Sequence, residues 1–529
     1  MTQVTHPAAP DGTAPKRRPV ESRQPSTGET WRTFAAASPE DVLEAVAAAR
    51  AAQPAWAAQP VGVRLQVLRR FHDLLYDRRH EIAGVISRET DKPAVEALAT
   101  EVTVALDEAR YLTRAVPRLL RTPWFASGSL GYLRKRLRIV HEPHGVVAVI
   151  SPWNYPFMLA CARLLPALAT GNAVVFKPSE LTPSTGEVAR QLFVDAGVPA
   201  DVIALVQGDG MTGAALAAAP VDKVFFTGSV ASGRSVAISC ASRLVPCGLE
   251  LGGSDAAIVL ADANLAHAAS GLAWGRFSNA GQTCVAPKRI LVEDAAFEPF
   301  MEALAAAVAK LRVGTGDDTT DVGAVIRPEF RVVLEAQRDD AVARGAIVAA
   351  VAPTANANVF PPTVLVNVPD DARALREETF GPLMTVIRVR SADEAVARAN
   401  ASEFGLSGSV WSRDIARAGW IAGQLDCGTV AINDVLCTAG IPELPHGGVK
   451  HSGIGSTHGM EGLVECVRTK GIAADRFSWM RQAWWFGYSR AYGKGIDAFV
   501  TFAHGRSVAK RIAAIPAMIR LLLRPDRPV

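Results

Sequence analysis

Ile139-Val140-His141-Glu142-Pro143-His144-Gly145-Val146-Val147-Ala148-Val149-Ile150-Ser151-Pro152-Trp153-Asn154 is the stretch from which the fold can be read. Residues 139–150, with their Val-rich second half, predict an extended segment, because β-branched side chains suit a pleated, buried surface. Apolar runs at 172–177, 202–207 and 223–227 read the same way. Between them, 184–196 and 211–219 carry helical periodicity. Strands alternating with helices predict a parallel α/β sheet. A second alternating region runs from 256 to about 430, with helices at 298–311 and 392–399. No long linker separates the two regions, which predicts that they pack together with a site between them. Upstream, 41–56 and 63–86 read as helical, and 1–23 as a flexible leader.

The chain has 529 residues, enough for about three domains. With 49% hydrophobic and 20% charged residues it is not a disordered chain. The net charge is +4, but residues 471–529 hold ten Lys and Arg against three Asp and Glu. The rest is therefore close to neutral, which argues against a nucleic-acid partner. Seven scattered cysteines show no zinc or disulfide spacing and fit a reducing, cytoplasmic setting. The polar N-terminus, with Lys16-Arg17-Arg18, has no apolar core and does not read as a signal peptide. Between 145 and 176 the only charge is Arg163, yet Pro152, Pro156, Pro166, Gly171 and Asn172 interrupt the run. It reads as buried core, not as a membrane span.

Chemistry concentrates around Cys284, in Phe277-Ser278-Asn279-Ala280-Gly281-Gln282-Thr283-Cys284. Small and polar neighbours predict an exposed turn. Glu250 lies 34 positions earlier, in Leu249-Glu250-Leu251-Gly252-Gly253. A thiol nucleophile with a carboxylate base suits covalent catalysis on a carbonyl. The oxyanion formed by thiolate attack needs fixed donors, which the Asn154 amide and the Cys284 N–H can supply. Asn154 is equally readable as a cap of the turn before Tyr155-Pro156. Gly208-Asp209-Gly210-Met211-Thr212-Gly213 matches a dinucleotide fingerprint but lacks the acidic residue expected at 228–233. His446, His451 and His458 share no helical face and have no acidic or Cys partner in sequence, so no metal site is predicted.

Together with Ser151-Pro152-Trp153-Asn154, Phe226-Thr227-Gly228-Ser229 and Glu378-Thr379-Phe380-Gly381-Pro382, these motifs resemble the aldehyde dehydrogenase superfamily in order and spacing, from about 24 to about 476. The resemblance implies a Rossmann-like NAD-binding domain (24–124 and 144–252), an α/β catalytic domain (253–451) and a β-hairpin oligomerisation arm (125–143 and 452–478). It implies a homodimer or homotetramer that oxidises an aldehyde irreversibly to the carboxylate. Cys284 would form the thiohemiacetal and thioester, Asn154 would hold the oxyanion, and Glu250 would activate water. Gly228 and Ser229 would hold the pyrophosphate at a helix start. Lys177 and Glu180 would hold the adenine ribose, Glu378 and Phe380 the nicotinamide ribose, and Trp153 would pack near the cofactor. A carboxylate at Glu180 favours NAD over NADP, with NADP as the alternative.

Enzymes of this superfamily for succinic semialdehyde carry Arg where this chain has Ala162, and Ser278 replaces an often bulky position. Both predict a roomy channel for an apolar aliphatic or aromatic aldehyde. A semialdehyde, a thiol hydrolase reaction and a membrane-associated scaffold are the rivals. His446 stands where the family commonly has Phe, near the entrance. Residues 479–529 are atypical: Trp479, Trp484, Trp485, Phe486, Tyr488 and Tyr492 precede a basic, apolar helical pattern at 507–524. That pattern is too short and charged to span a bilayer. It reads either as a packed extra helix or as peripheral membrane contact.

Overall fold

The computed structural model describes all residues except 1–18, 318, 355–358, 478–481, 483 and 523–529. The chain divides into two compact units.

The first unit comprises Met1–Leu119 and Glu142–Arg468. Its first sheet runs Gly453–Ile454, Cys247–Glu250, Lys223–Thr227, Val146–Ile150, Ala173–Lys177, Ile203–Leu205. All pairs are parallel except that between Gly453–Ile454 and Cys247–Glu250. Strands Val146–Ile150 and Ala173–Lys177 are wholly buried, as expected of a parallel sheet covered on both faces. The helix Met158–Ala169 shows no exposed residue, so the long uncharged run is core. The second sheet runs Ile347–Val351, Thr363–Val366, Leu383–Val389, Pro287–Glu293, Asp255–Val259, Ser407–Trp411, Thr429–Ile432. Only its edge strand, Ile347–Val351, is antiparallel. Phe277, Phe300, Phe360 and Trp411 lie in the core beneath it.

Several expectations need correction. The extended segment at 139–150 is two strands, Lys135–Pro143 and Val146–Ile150, in different sheets. Gly145, at φ +131°, makes the break, and a Cβ there would strike the Asp222 carboxylate. The helical reading at 63–86 divides at Arg78 into Val61–Asp77 and Arg79–Thr90. The leader does not extend to 23: Val20–Arg23 pairs with Thr30–Phe34, anchored by buried Ser22 on Glu89 and Ser184. The predicted arm segment 452–478 begins inside the first unit, because Gly453–Ile454 pairs with Cys247–Glu250.

The second unit comprises Leu120–His141 and Thr469–Val529. Its sheet runs Val467–Asp475, Lys135–Pro143, Phe125–Ala126. The helices Arg490–His504 and Val508–Leu522 pack on each other, with Gly495 leaving room for Leu521. The Ser489 hydroxyl accepts from the Tyr492 N–H and caps the first of them. Trp484 packs on Tyr132, with ring centroids 5.2 Å apart. Trp479 and the end of the predicted helical pattern, 523–524, lie outside the described residues. Among those described, no helix is long and apolar enough to cross a membrane.

Candidate active site

The C-terminal ends of the first sheet stand in one row. Ile150 is opposite Lys177 and Phe226, and Thr227 is opposite Glu250. This register brings the 151–154 turn, Lys177, Gly228-Ser229 and Glu250 to one edge, where open α/β sheets bind their ligands. Bonds join that edge to the loop entering strand Pro287–Glu293 of the second sheet. Asn154 Nδ2 donates to the Gln282 carbonyl (3.0 Å), and Asn279 Nδ2 donates to the Asn154 carbonyl (2.8 Å).

That loop carries Cys284. Helix Leu265–Phe277 ends, and Asn279, Ala280 and Gly281 follow at φ +51°, +51° and +70°. A left-handed alanine costs about 1–2 kcal/mol, so the surroundings must impose the turn. At Gly281 a Cβ would lie 2.5 Å from the Gly381 backbone, which only glycine avoids. Arg276, fully buried, donates to the carbonyls of Gly281, Thr379, Gly381 and Leu383. Lys288 Nζ donates to the carbonyls of Thr283 (3.0 Å) and Cys284 (2.6 Å). The turn predicted to be exposed is therefore buried: Gln282 and Thr283 are closed off, and Cys284 is half-buried. Burial pushes the Cys284 thiol up to about 12; Lys288 opposes the rise, and Asp255, Glu378 and Glu250 add to it.

Cys284 and Glu250 line one cavity of about 300 Å³. Glu250 accepts from the Thr457 hydroxyl (2.6 Å) and Arg163 Nη2 (3.2 Å). Arg163 also donates to the Ser456 carbonyl (2.8 Å). Val104, Met158, Leu159, Trp274 and Leu436 make the walls apolar, and Ala162 lines them as expected. Ser278 does not: it lines an adjoining groove. His446 lines the cavity, buried, with Nδ1 unpartnered, and burial holds it below the usual histidine value. His458 has an acidic partner that sequence did not reveal, Glu108, at 2.8 Å. Among the described residues no three His, Cys, Asp or Glu side chains group as metal ligands.

The remaining candidates lie along the strand edge. Ser229 caps helix Val230–Ala241, its hydroxyl accepting from the Ser232 N–H, and no acidic residue occupies that first turn. The Gly228 N–H donates to the Glu250 carbonyl (3.0 Å). At the Gly208–Gly213 fingerprint, by contrast, Asp209 caps helix Gly210–Ala218 with its own carboxylate on the Met211 and Thr212 N–H groups. An anion already occupies that terminus. Lys177 Nζ lies 3.6 Å from the Glu180 carboxylate, which stays part-exposed; burial lowers the lysine below its usual value. Glu378 accepts from the Gly253 N–H (3.0 Å). Trp153 meets Phe380 edge-on, with centroids 5.4 Å apart. A hydroxyl-capped helix terminus and an accessible carboxylate suit the phosphates and ribose hydroxyls of a dinucleotide.

Arg276, Lys288 and the Thr457–Arg163 grip on Glu250 were not legible beforehand. Arg276 and Arg163 each left a signal, as the sole Lys, Arg, Asp or Glu in the apolar helices Leu265–Phe277 and Met158–Ala169.

A family profile described as the aldehyde dehydrogenase family matches residues 13–472. The chain is similar to a 4,4'-diapolycopene aldehyde oxidase from Methylomonas sp, 39% identical over 92% of this chain and 91% of the relative. It is also similar to a Mycolicibacterium smegmatis protein provisionally named a succinate-semialdehyde dehydrogenase using NADP(+). That protein is 38% identical over 89% of this chain and 91% of its own length. The crystal structure of a provisionally named aldehyde dehydrogenase from Burkholderia cenocepacia superposes with a TM-score of 0.83 at 36% identity. It covers 87% of this chain and 97% of that one.

Proposed function

The chain belongs to the aldehyde dehydrogenase family, NAD(P)-dependent oxidoreductases of aldehydes, and we propose that its substrates are apolar aliphatic or aromatic aldehydes, oxidised with NAD as the preferred acceptor. The observation carrying this reading is Arg163. Among the described residues it is the only Arg or Lys lining the Cys284 cavity, and Glu250 and Ser456 already hold it. With Ala162 beside it, the cavity offers a substrate carboxylate no uncommitted guanidinium and offers a hydrocarbon mostly apolar wall. The relative named for a diapolycopene aldehyde is consistent with that lining. The relative named for succinate semialdehyde supports the second reading, a semialdehyde substrate, which the engaged Arg163 disfavours.

In this reading water takes the Cys284 thiol proton, and the thiolate sulfur bonds to the carbonyl carbon as the C=O π pair moves onto oxygen. The Asn154 amide and the Cys284 N–H hold the oxyanion. NAD(P), when bound, supplies a two-electron acceptor. Gly228 and Ser229 hold its pyrophosphate, Lys177 and Glu180 its adenine ribose, and Glu378 and Phe380 its other ribose, with Trp153 packed alongside. Oxidation leaves a thioester on Cys284. Glu250 takes a proton from water, the hydroxide attacks the acyl carbon, and the C–S bond breaks to return the thiol. Residues 20–124 with 144–252 form the nucleotide domain, joined by the strand Gly453–Ile454, and 253–451 the catalytic domain.

The test is NADH and NADPH formation across propanal, long alkanals, benzaldehyde and succinic semialdehyde. Preferred turnover of the apolar aldehydes with NAD supports the reading. Preference for succinic semialdehyde overturns it.

We further propose a cytoplasmic homodimer or homotetramer, paired through the hairpin arm, that contacts membranes peripherally. Val508, Ile512 and Ile519 are exposed at helical spacing along Val508–Leu522, and Arg511 and Arg520 flank them. Apolar side chains edged by cations suit an anionic bilayer surface. Flotation with phosphatidylglycerol vesicles, weakened by Ile512→Glu, is the expected result. No flotation would discard this contact and leave the packed-helix reading.

A further inference from the structure

A second concavity adjoins the Cys284 cavity. It is a groove of about 780 Å³ between helices Leu265–Phe277 and Asp294–Val308. The two share Ala99, Thr100 and Trp274 as lining. Ala99 and Thr100 belong to a π-helical turn, Leu98–Val102, a distortion that frequently marks functional sites. Its Glu101 is fixed by Lys92 (2.7 Å) and by the N–H groups of Phe157 and Met158, so the turn is held in place.

The groove is carved by small residues at helical spacing. Ala266, Ser270 and Ala273 follow one another at spacings of four and three on one helix, with Trp274 beside them, and Ala303, Ala306 and Ala307 line it from the other. Trp274 is 49% exposed and Val95 65% exposed along it. Its polar lining includes Glu96, Lys310 and Thr320, together with Arg312, which is paired with Asp321 at 2.7 Å.

We propose that this groove is a distal subsite for the hydrocarbon chain of a long aldehyde whose carbonyl lies at Cys284. The inference rests on the apolar-aldehyde reading above and deepens it. The shared lining at Trp274, Ala99 and Thr100 points to the occupant, since it sets the groove beside the inner cavity, where the far end of a chain passing Trp274 would lie. The inner cavity alone is at the small end of ligand pockets; with the groove it reaches the large end. Each methylene withdrawn from water there adds about fourfold to binding.

The test fills the groove without touching Cys284, Glu250 or Asn154. Ser270→Trp and Ala306→Trp are made separately, each at an exposed position on a different wall. The readout is kcat/KM for straight-chain alkanals from propanal to hexadecanal, with melting temperature measured alongside. The expected result is at least a tenfold loss for the longest alkanals, within twofold for propanal, and an unchanged melting temperature. Equal losses at all chain lengths, or none at any, overturn the subsite while leaving the apolar-aldehyde reading standing. If the unmodified enzyme oxidises no alkanal of any length, that reading fails and the subsite falls with it.

Discussion

The turn carrying Cys284 and the turn carrying Ser229 both join a helix to a strand, yet they are finished in opposite ways. The Cys284 turn is closed. Arg276 and Lys288 donate to six backbone carbonyls around it, and Gly281 fits against Gly381 with no space for a side chain. The Ser229 turn is open: one hydroxyl caps the helix and no acid fills its first turn. A group that must meet a developing charge profits from being fixed before the reaction. A group that binds a cofactor must retain bonding capacity for it. The Gly208–Gly213 turn sharpens the point, since Asp209 has used that capacity itself.

Substitutions at the closed turn should therefore damage chemistry or folding, and those along the open cofactor edge cofactor affinity alone. Cys284→Ala should abolish aldehyde oxidation by roughly 10⁴-fold or more, with an unchanged melting temperature, checked by NADH formation and thermal unfolding. Glu250→Gln should lower kcat by about 10²–10⁴-fold, measured under saturating substrate. Arg276→Met leaves four carbonyls without their donor and should destabilise the protein by at least about 3 kcal/mol, read from denaturant unfolding. The buried thiol gives a pH signature. Because Cys284 sits at about 12, its alkylation by iodoacetamide without cofactor should rise about tenfold per pH unit from 7 to 9. A plateau near neutrality would break the account of the closed turn. On another loop of the same cofactor edge, Glu180→Ala should raise the KM for NAD about tenfold with kcat intact. A fall in kcat instead would erase the contrast between the closed turn and the open edge.

Much of the fold was legible because its strands are short Val-rich runs and its helices carry apolar periodicity. Where the reading slipped, a tertiary contact had intervened. Gly145 ends one strand and starts another because Asp222 occupies the space a side chain would need, and nothing in the local pattern announces that. Cys284, Glu250 and Asn154 were legible as chemical types. Cys284 and Glu250 line one cavity, and Asn154 is bonded to the loop carrying Cys284. The burial of the Cys284 turn was not legible, since small polar residues describe a solvent-exposed turn and a tightly packed one equally well. Arg163 shows the same limit: a lone arginine in an apolar helix does not disclose that a glutamate 87 residues away holds it.

The central claim is a covalent acyl intermediate on Cys284 that Glu250 helps water to release. Its most direct test is the intact mass of Glu250→Gln after mixing with NAD and an alkanal, followed by peptide mapping. The account predicts a mass increase equal to the acyl group less the displaced thiol hydrogen, located on Cys284 and removed by hydroxylamine. Unmodified Cys284 during continued turnover, or the acyl group on another residue, would contradict it.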